Sequence, residues 1–213
     1  MHDRPHSRPR HAARPGHPGR DAALFLWKWV QAPTRIGSVW PSGRALGRAM
    51  AAELDLRVPG AVVELGAGTG PITATLLQSG VPPERFYAVE RDPALAAALR
   101  QRLPAVRVIE GDAGDLPALM RAEGVETVAA IISCLPLVSL PRSLVRRVIE
   151  GGFEILHPEG RFIQFTYGVV SPIPLRHFGV QGRRVCRVWR NVPPAAVWRY
   201  TRIPGVPVAR GRG

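Results

Sequence analysis

The segment Glu64-Leu65-Gly66-Ala67-Gly68-Thr69-Gly70 constrains this chain more than any other, because it follows an apolar, β-branched run and precedes a helical one. Glycines at 66, 68 and 70 permit the tight backbone of a strand-to-helix turn and let a ligand approach the main chain closely. Dinucleotide-binding turns follow G-x-G-x-x-G and would place a glycine at 71. Pro71 stands there instead and suits the first position of a helix. A dehydrogenase is disfavoured accordingly, and the acid ahead of the turn, Glu64, suits a ligand that carries positive charge.

Two further strand ends carry acids. Phe86-Tyr87-Ala88-Val89-Glu90 reads as a second strand whose last carboxylate lies about twenty residues beyond the glycines, where it can accept from ribose hydroxyls. Val106 to Glu110 reads as a third strand, followed by Gly111-Asp112-Ala113. The other reading of Glu90 and Asp112 is that they cap helices, since Asp92-Pro93 and Asp115 also open helical stretches. In this combination and order the motifs resemble class I S-adenosylmethionine-dependent methyltransferases. The resemblance implies S-adenosylmethionine as cofactor and S-adenosylhomocysteine as product. It implies binding by Glu64, Gly66, Ala67, Gly68 and Gly70 of the turn, by Glu90 and Arg91 after the second strand, by Asp112 and Ala113 beside adenine, and by Ser133 at the end of the fourth strand.

From Ala61 to Phe165 strand and helix patterns alternate, which predicts a parallel sheet covered on both faces. Thr127 to Ser133 is the fourth strand, Ser143 to Leu156 a helix closed by His157-Pro158-Glu159-Gly160, and Arg161 to Thr166 the fifth strand. Arg184 to Arg190 alternates and pairs with Val197 to Arg202 as a terminal hairpin. The expected fold is α/β: a Rossmann-like class I methyltransferase with a seven-stranded, mostly parallel sheet, helices on both faces and an antiparallel terminal hairpin. The expected organisation is a basic arm over 1–20, disordered in isolation, an interfacial helix over 21–33, the methyltransferase domain over 34–203 with a helical pattern from Ser42 to Leu54, and a flexible tail over 204–213.

Charge is segregated along the chain. Residues 1–60 hold ten Lys or Arg against four acids, residues 61–140 six against nine, and residues 141–213 thirteen against three, within a total of +13. The acidic middle suits a cationic cofactor, and the basic flanks expect an anionic partner, either nucleic acid or an anionic membrane. Cys134 and Cys186, both in apolar surroundings, read as free buried thiols of a reducing compartment. No stretch has the length needed to span a bilayer.

Asp21 is a suitable N-cap for a helix over residues 22–31, ended by Pro33, in which Leu24, Phe25, Leu26, Trp27, Trp29 and Val30 cover most of the circumference. Such a helix either packs on the domain core or lies in a membrane interface, with Trp27, Lys28 and Trp29 at headgroup depth and the arm drawn to anionic lipid. Lys28 and the two tryptophans argue against a signal peptide. The expected location is cytoplasmic, peripheral on the inner face of the membrane.

The acceptor is read from Ser133-Cys134-Leu135-Pro136-Leu137, since ligands of open α/β sheets bind at the carboxyl ends of strands. Methyltransferases of exocyclic base amines resemble this segment but end it with an aromatic that stacks on an extruded base. Leu137 stands in that place and favours an alkylamine. More narrowly, the chain resembles the bacterial phospholipid N-methyltransferases that convert phosphatidylethanolamine to phosphatidylcholine. The matching pieces are Trp40-Pro41-Ser42, Glu64 to Gly70, Ser133 to Leu137, Gln164-Phe165-Thr166-Tyr167-Gly168, and Asn191-Val192-Pro193-Pro194-Ala195 followed by Val197-Trp198. The resemblance implies a phospholipid substrate, methylated three times.

Tyr167, Trp40 and Trp198 are then candidates for a cation–π lining of the headgroup site. Tyr167, Trp40 and Ser42 form the catalytic set, with Ser42 either near the methyl group or capping the helix it opens. Arg35, Arg176 and His177 are candidates for the lipid phosphate, and no residue stands out as a general base. Neither a metal nor a nucleic-acid partner is expected. The alternatives are an rRNA (adenine-N6) or other nucleic-acid methyltransferase, and a silent membrane adaptor that kept the fold.

Overall fold

Ala61–Leu65 forms strand β1 and is buried at every position, as a parallel strand covered on both faces must be. The structure, a computed structural model, describes residues 41–168, 170–173, 178–189 and 194–206, with the backbone alone at 41 and 42. Helix α1 (Pro41–Ala51) precedes β1. There follow α2 (Pro71–Gln78), β2 (Phe86–Glu90), α3 (Pro93–Arg102), β3 (Arg107–Glu110), α4 (Leu116–Ala122), β4 (Val128–Ser133), α5 (Arg142–Ile155), β5 (Leu156–Thr166), β6 (Val180–Val188) and β7 (Ala195–Arg202). The strand order is β3-β2-β1-β4-β5-β7-β6. Strands β1 to β5 run parallel, and β7 is antiparallel to both of its neighbours. The order reverses between β1 and β4, and this switch point fixes where a ligand can enter.

Period-two alternation sends successive strand residues to opposite faces, and each face has its own core. Leu46 and Met50 of α1, Ile72 and Leu76 of α2 and Leu99 of α3 pack with Val62, Ile132, Ile163 and Val197. On the other face Leu116 and Met120 of α4 and Val148, Ile149 and Phe153 of α5 pack with Val63, Leu65, Ile131, Phe162 and Tyr200. Arg85 orders the approach to β1, its guanidinium donating to the carbonyls of Leu56, Val58 and Gly60.

The seven-stranded, mostly parallel sheet with an antiparallel terminal hairpin is as expected, with three differences at element ends. The fifth strand begins at Leu156, so the His157–Gly160 stretch lies within it and does not close the helix. Its pairing with β4 jumps from Val128↔Leu156 to Ala130↔Arg161, which bulges the intervening residues out of the ladder and accommodates Pro158. Helix α1 begins at Pro41, which makes Ser42 its second residue and not the flanking cap. The terminal hairpin is longer than its alternating cores, and its second strand lies between β5 and β6. The expected arm, the helix over 21–33 and the tail beyond residue 206 fall outside the described residues.

Candidate functional site

At the carboxyl end of β1 the backbone enters the left-handed region three times, at Gly66 (φ 73°), Gly68 (φ 57°) and Gly70 (φ 82°), and among the described residues only glycines have positive φ. Gly70 then flanks α2, with Pro71 as its first residue. The three glycines are required for different reasons. A Cβ at Gly66 would meet the Leu135 methyl at 2.8 Å and one at Gly70 the Leu99 methyl at 2.4 Å, so a side chain at either would have to push a leucine aside in addition to adopting positive φ. Gly68 turns its amide inward and donates to the Glu90 carboxylate at 2.8 Å.

Glu90 therefore works on the protein itself. One carboxylate oxygen accepts from Gly68, the other accepts from the Asp92 amide at 2.9 Å, and the residue is buried. This joins the glycine turn to the start of α3. Asp92 in turn caps that helix by accepting from Ala94 and Leu95. Asp112 accepts from Gly114 at 2.7 Å, opening the short turn Ala113–Asp115, and its second oxygen lies 3.8 Å from the exposed guanidinium of Arg91. Both acids thus cap local turns, and both stand at adjacent strand ends.

Glu64 is fully buried beneath the turn. Its carboxylate accepts from Thr73 Oγ1 at 2.6 Å and from Cys134 Sγ at 3.6 Å, which links β1 to α2 and to the residue after β4. Burial pushes its pKa up to about 7. The two hydrogen bonds oppose that rise, and the negative charge of Glu90 adds to it. Burial likewise pushes the Cys134 thiol well above its ordinary value.

The carboxyl end of β4 continues the site. Ser133 pairs in register with Leu65 of β1 and Gln164 of β5, and Gln164 pairs with Trp198 of β7. Ser133, Gln164 and Trp198 thus share one row on the α4 and α5 face. Ser133 Oγ, Gln164 Oε1 and Trp198 Nε1 are all buried without a hydrogen-bond partner among the described residues, as is Thr69 Oγ1 in the glycine turn. The Gln164 amide cannot be turned around: its Nε2 donates to the carbonyls of Leu135 (3.0 Å) and Phe165 (2.6 Å), and reversal would set oxygen against oxygen. Gln164 so holds Leu135, whose side chain in turn covers Gly66. Sequence reasoning missed this tether. The signal was present as a lone amide within the apolar run of the fifth strand.

Leu137 is turned into the core on the α4 and α5 side and is 3 % exposed. Tyr167 sits just beyond β5, edge-on to Phe165 with ring centroids 5.6 Å apart, and packs on the α1 and α2 side. Trp198 stacks on Tyr200 at 6.3 Å on the opposite side. Tyr167 lies three positions after Gln164, an odd offset, so the sheet alternation places Tyr167 and Trp198 on different faces. The described residues therefore do not build the expected shared cage. Trp27, Lys28, Trp29, Arg35, Trp40, Arg176 and His177 lie outside the described residues, as does the side chain of Ser42.

Comparison with known proteins agrees with this geometry. A family model for a methyltransferase domain matches residues 62–160. An ornithine lipid N-methyltransferase of Singulisphaera acidiphila is 37% identical over 150 residues, 69% of this chain and 78% of that protein. A ribosomal RNA small subunit methyltransferase A of Thermotoga neapolitana is 29% identical over 131 residues, 61% of this chain, and the chain spans only 48% of that relative. Among solved structures, a glycopeptide N-methyltransferase complexed with S-adenosyl-L-methionine superposes with a TM-score of 0.55 at 15% identity, covering 76% of this chain and 95% of the other. The 1,6-didemethyltoxoflavin-N1-methyltransferase of Burkholderia thailandensis gives a TM-score of 0.56 at 20% identity, with 90% and 93% covered.

Proposed function

Because the chain belongs to the class I S-adenosylmethionine-dependent methyltransferases, we propose that it methylates the amine of a phosphatidylethanolamine headgroup, and of its mono- and dimethyl derivatives, to give phosphatidylcholine. The cofactor is S-adenosylmethionine, and the chain's donor set suits it. Two buried hydroxyls without a partner among the described residues, Thr69 Oγ1 within the glycine turn and Ser133 Oγ beside it, face this region, and carboxylates stand at the ends of β1 and β2 and in the turn after β3. Glu64, Gly66, Ala67, Gly68, Gly70, Glu90, Arg91, Asp112, Ala113 and Ser133 are the residues that would hold it. When bound, S-adenosylmethionine supplies an electrophilic methyl group on a sulfonium sulfur.

The observation that carries the acceptor assignment is Leu137. Where base-amine methyltransferases present a stacking aromatic, this chain presents an aliphatic side chain buried in the core, so nothing there can stack on an extruded base. An aliphatic amine needs no such platform; it needs deprotonation and in-line placement. Gln164 Oε1, fixed by the two bonds of its Nε2, is an acceptor for an N–H of that amine. Tyr167, at the same end of the sheet, is suited to a cationic headgroup. Trp40 and Ser42 remain candidates beside it, and Arg35, Arg176 and His177 remain candidates for the lipid phosphate. Relationship to a lipid N-methyltransferase supports a lipid, and ornithine too carries alkyl amines. Trp27, Lys28 and Trp29 are proposed to hold the enzyme at the cytoplasmic membrane face. Among the described residues no helix is long and apolar enough to cross a membrane.

The test is incubation of the full chain with methyl-labelled S-adenosylmethionine and, in parallel, phosphatidylethanolamine vesicles, ornithine-lipid vesicles and total RNA. Label in phosphatidylethanolamine is expected. Label only in ornithine lipid would move the substrate within the lipid class, and label only in RNA would overturn the reading.

A further inference from the structure

Three of the four large hydrophobic side chains that stand exposed among the described residues lie at one end of the sheet: Val138 (44 %), Val170 (71 %) and Trp189 (69 %). Val138 is in the turn that follows β4, and Val170 lies just past β5. Trp189 follows β6, whose last pair, Val188↔Ala195, lies one step beyond the Thr166↔Ala196 pair that ends β5. All three therefore rim the carboxyl ends of β4 and β5, beyond the buried Ser133 and Gln164 near those ends. Strands β4, β5, β7 and β6 are neighbours, so the rim is about 14 Å wide at the usual strand spacing. The exposure is held in place by the fold. Ser171, next to Val170, bonds the carbonyl of Ile173 and pairs with the buried Tyr200 hydroxyl at 2.9 Å, while the guanidinium of Arg187 lies 4.6 Å from the centre of the Trp189 ring.

The carboxy-terminal segment that carries much of this rim has charge of one sign. Residues 160–213 contain ten arginines and no acid. Arg183, Arg184 and Arg187 are exposed along the edge strand β6, and none of them has a carboxylate partner among the described residues. We propose that this rim is a second membrane-docking surface, distinct from the amino-terminal segment, in which Val138, Val170 and Trp189 enter the headgroup layer of an anionic bilayer and the β6 arginines face its lipid phosphates. A tryptophan with a cation over its ring is suited to the boundary between water and acyl chains, and apolar side chains without nearby acids can insert without burying a charge. The surface places the site mouth on the bilayer, so that a headgroup reaches Gln164 while its acyl chains stay in the membrane. The inference rests on the lipid-substrate reading for its purpose but not for its test.

The test uses the full chain and the double variant Val170→Ser with Trp189→Ser, in sedimentation with vesicles of phosphatidylcholine containing phosphatidylglycerol. Methyl transfer to phosphatidylethanolamine is measured in parallel in the same vesicles and dispersed in detergent. The variant should bind S-adenosylhomocysteine as wild type does, partition to vesicles about tenfold more weakly, as expected for loss of two inserted apolar side chains, and keep its activity on detergent-dispersed lipid. Arg187→Gln should weaken partition at low salt and have less effect at high salt. Unchanged partition of the double variant, absence of vesicle binding by wild type, or loss of RNA binding in place of vesicle binding would overturn the docking surface. Failure of wild type to methylate lipid in either form, with partition still dependent on the rim, would overturn the substrate reading alone.

Discussion

The two halves of the sheet are built on different principles. On the side of β1, β2 and β3, acids at strand ends are bonded to backbone amides, as Glu90 is to Gly68 and Asp92, and Asp112 is to Gly114. On the side of β5, β7 and β6 the polar atoms Gln164 Oε1 and Trp198 Nε1 are left without partners among the described residues, and residues 160–213 carry arginines but no acid. The first half is preorganised by its own hydrogen bonds, as suits the cofactor proposed to bind there. The second holds unsatisfied groups, which cost stability unless something else bonds them. A substrate amine arriving from outside could donate an N–H to Gln164 Oε1. Rigidity on one side and unmet hydrogen-bonding capacity on the other suit a fixed methyl donor and the acceptor proposed above.

The strongest way to break this comparison is Gly68→Val. A β-branched residue is strained at φ 57°, and the turn that presents the amide to Glu90 would be lost. S-adenosylhomocysteine binding should be abolished in calorimetric titration, and near wild-type affinity would contradict the cofactor half.

Glu64 gives the next largest effect, read in pH. Its folded pKa of about 7 lies above the ordinary 4.5, so the native state holds the proton more tightly than the unfolded chain does. Stability should therefore fall as pH rises from about 4.5 to about 7 and level off above, by about 3 kcal/mol from this group. Glu64→Gln should flatten that part of a denaturation-versus-pH profile. It should also weaken S-adenosylmethionine, which is cationic at sulfur, more than S-adenosylhomocysteine. An unaltered profile would place the titration elsewhere.

Glu90→Ala follows. A charged acceptor contributes about 1.5–3 kcal/mol through its hydrogen bonds, so affinity for S-adenosylhomocysteine should fall about ten- to a hundredfold while the domain stays folded by circular dichroism. Unchanged affinity would mean that Glu90 serves the turn alone. The smallest effect sharpens the interfacial side: changing Trp27 and Trp29 to Ser should reduce vesicle partition even at low salt and leave cofactor affinity untouched.

The cofactor half was legible in the sequence because its determinants are local. Positive φ demands glycine, a helix start favours Pro71, and acids end apolar runs. The burial of Glu64 was not legible, since Thr73 and Cys134 reach it from nine and seventy residues away. The acceptor half was less legible for a related reason. Tyr167 and Trp198 resemble one another as aromatics, and only their register relative to Gln164 separates them onto opposite faces. The reading of His157–Gly160 as a stop failed because tertiary pairing with β4 recruits Leu156 into the strand before the bulge.

The division of labour is tested most directly by measuring S-adenosylhomocysteine affinity and the lipid KM side by side in Glu90→Ala and Gln164→Leu. Glu90→Ala should lose cofactor affinity and keep the wild-type KM for dispersed phosphatidylethanolamine, whereas Gln164→Leu should lose far less cofactor affinity, only what freeing Leu135 costs the Gly66 turn, and raise that KM. Equal loss of cofactor affinity in both variants, with no change in lipid KM in either, would contradict the account.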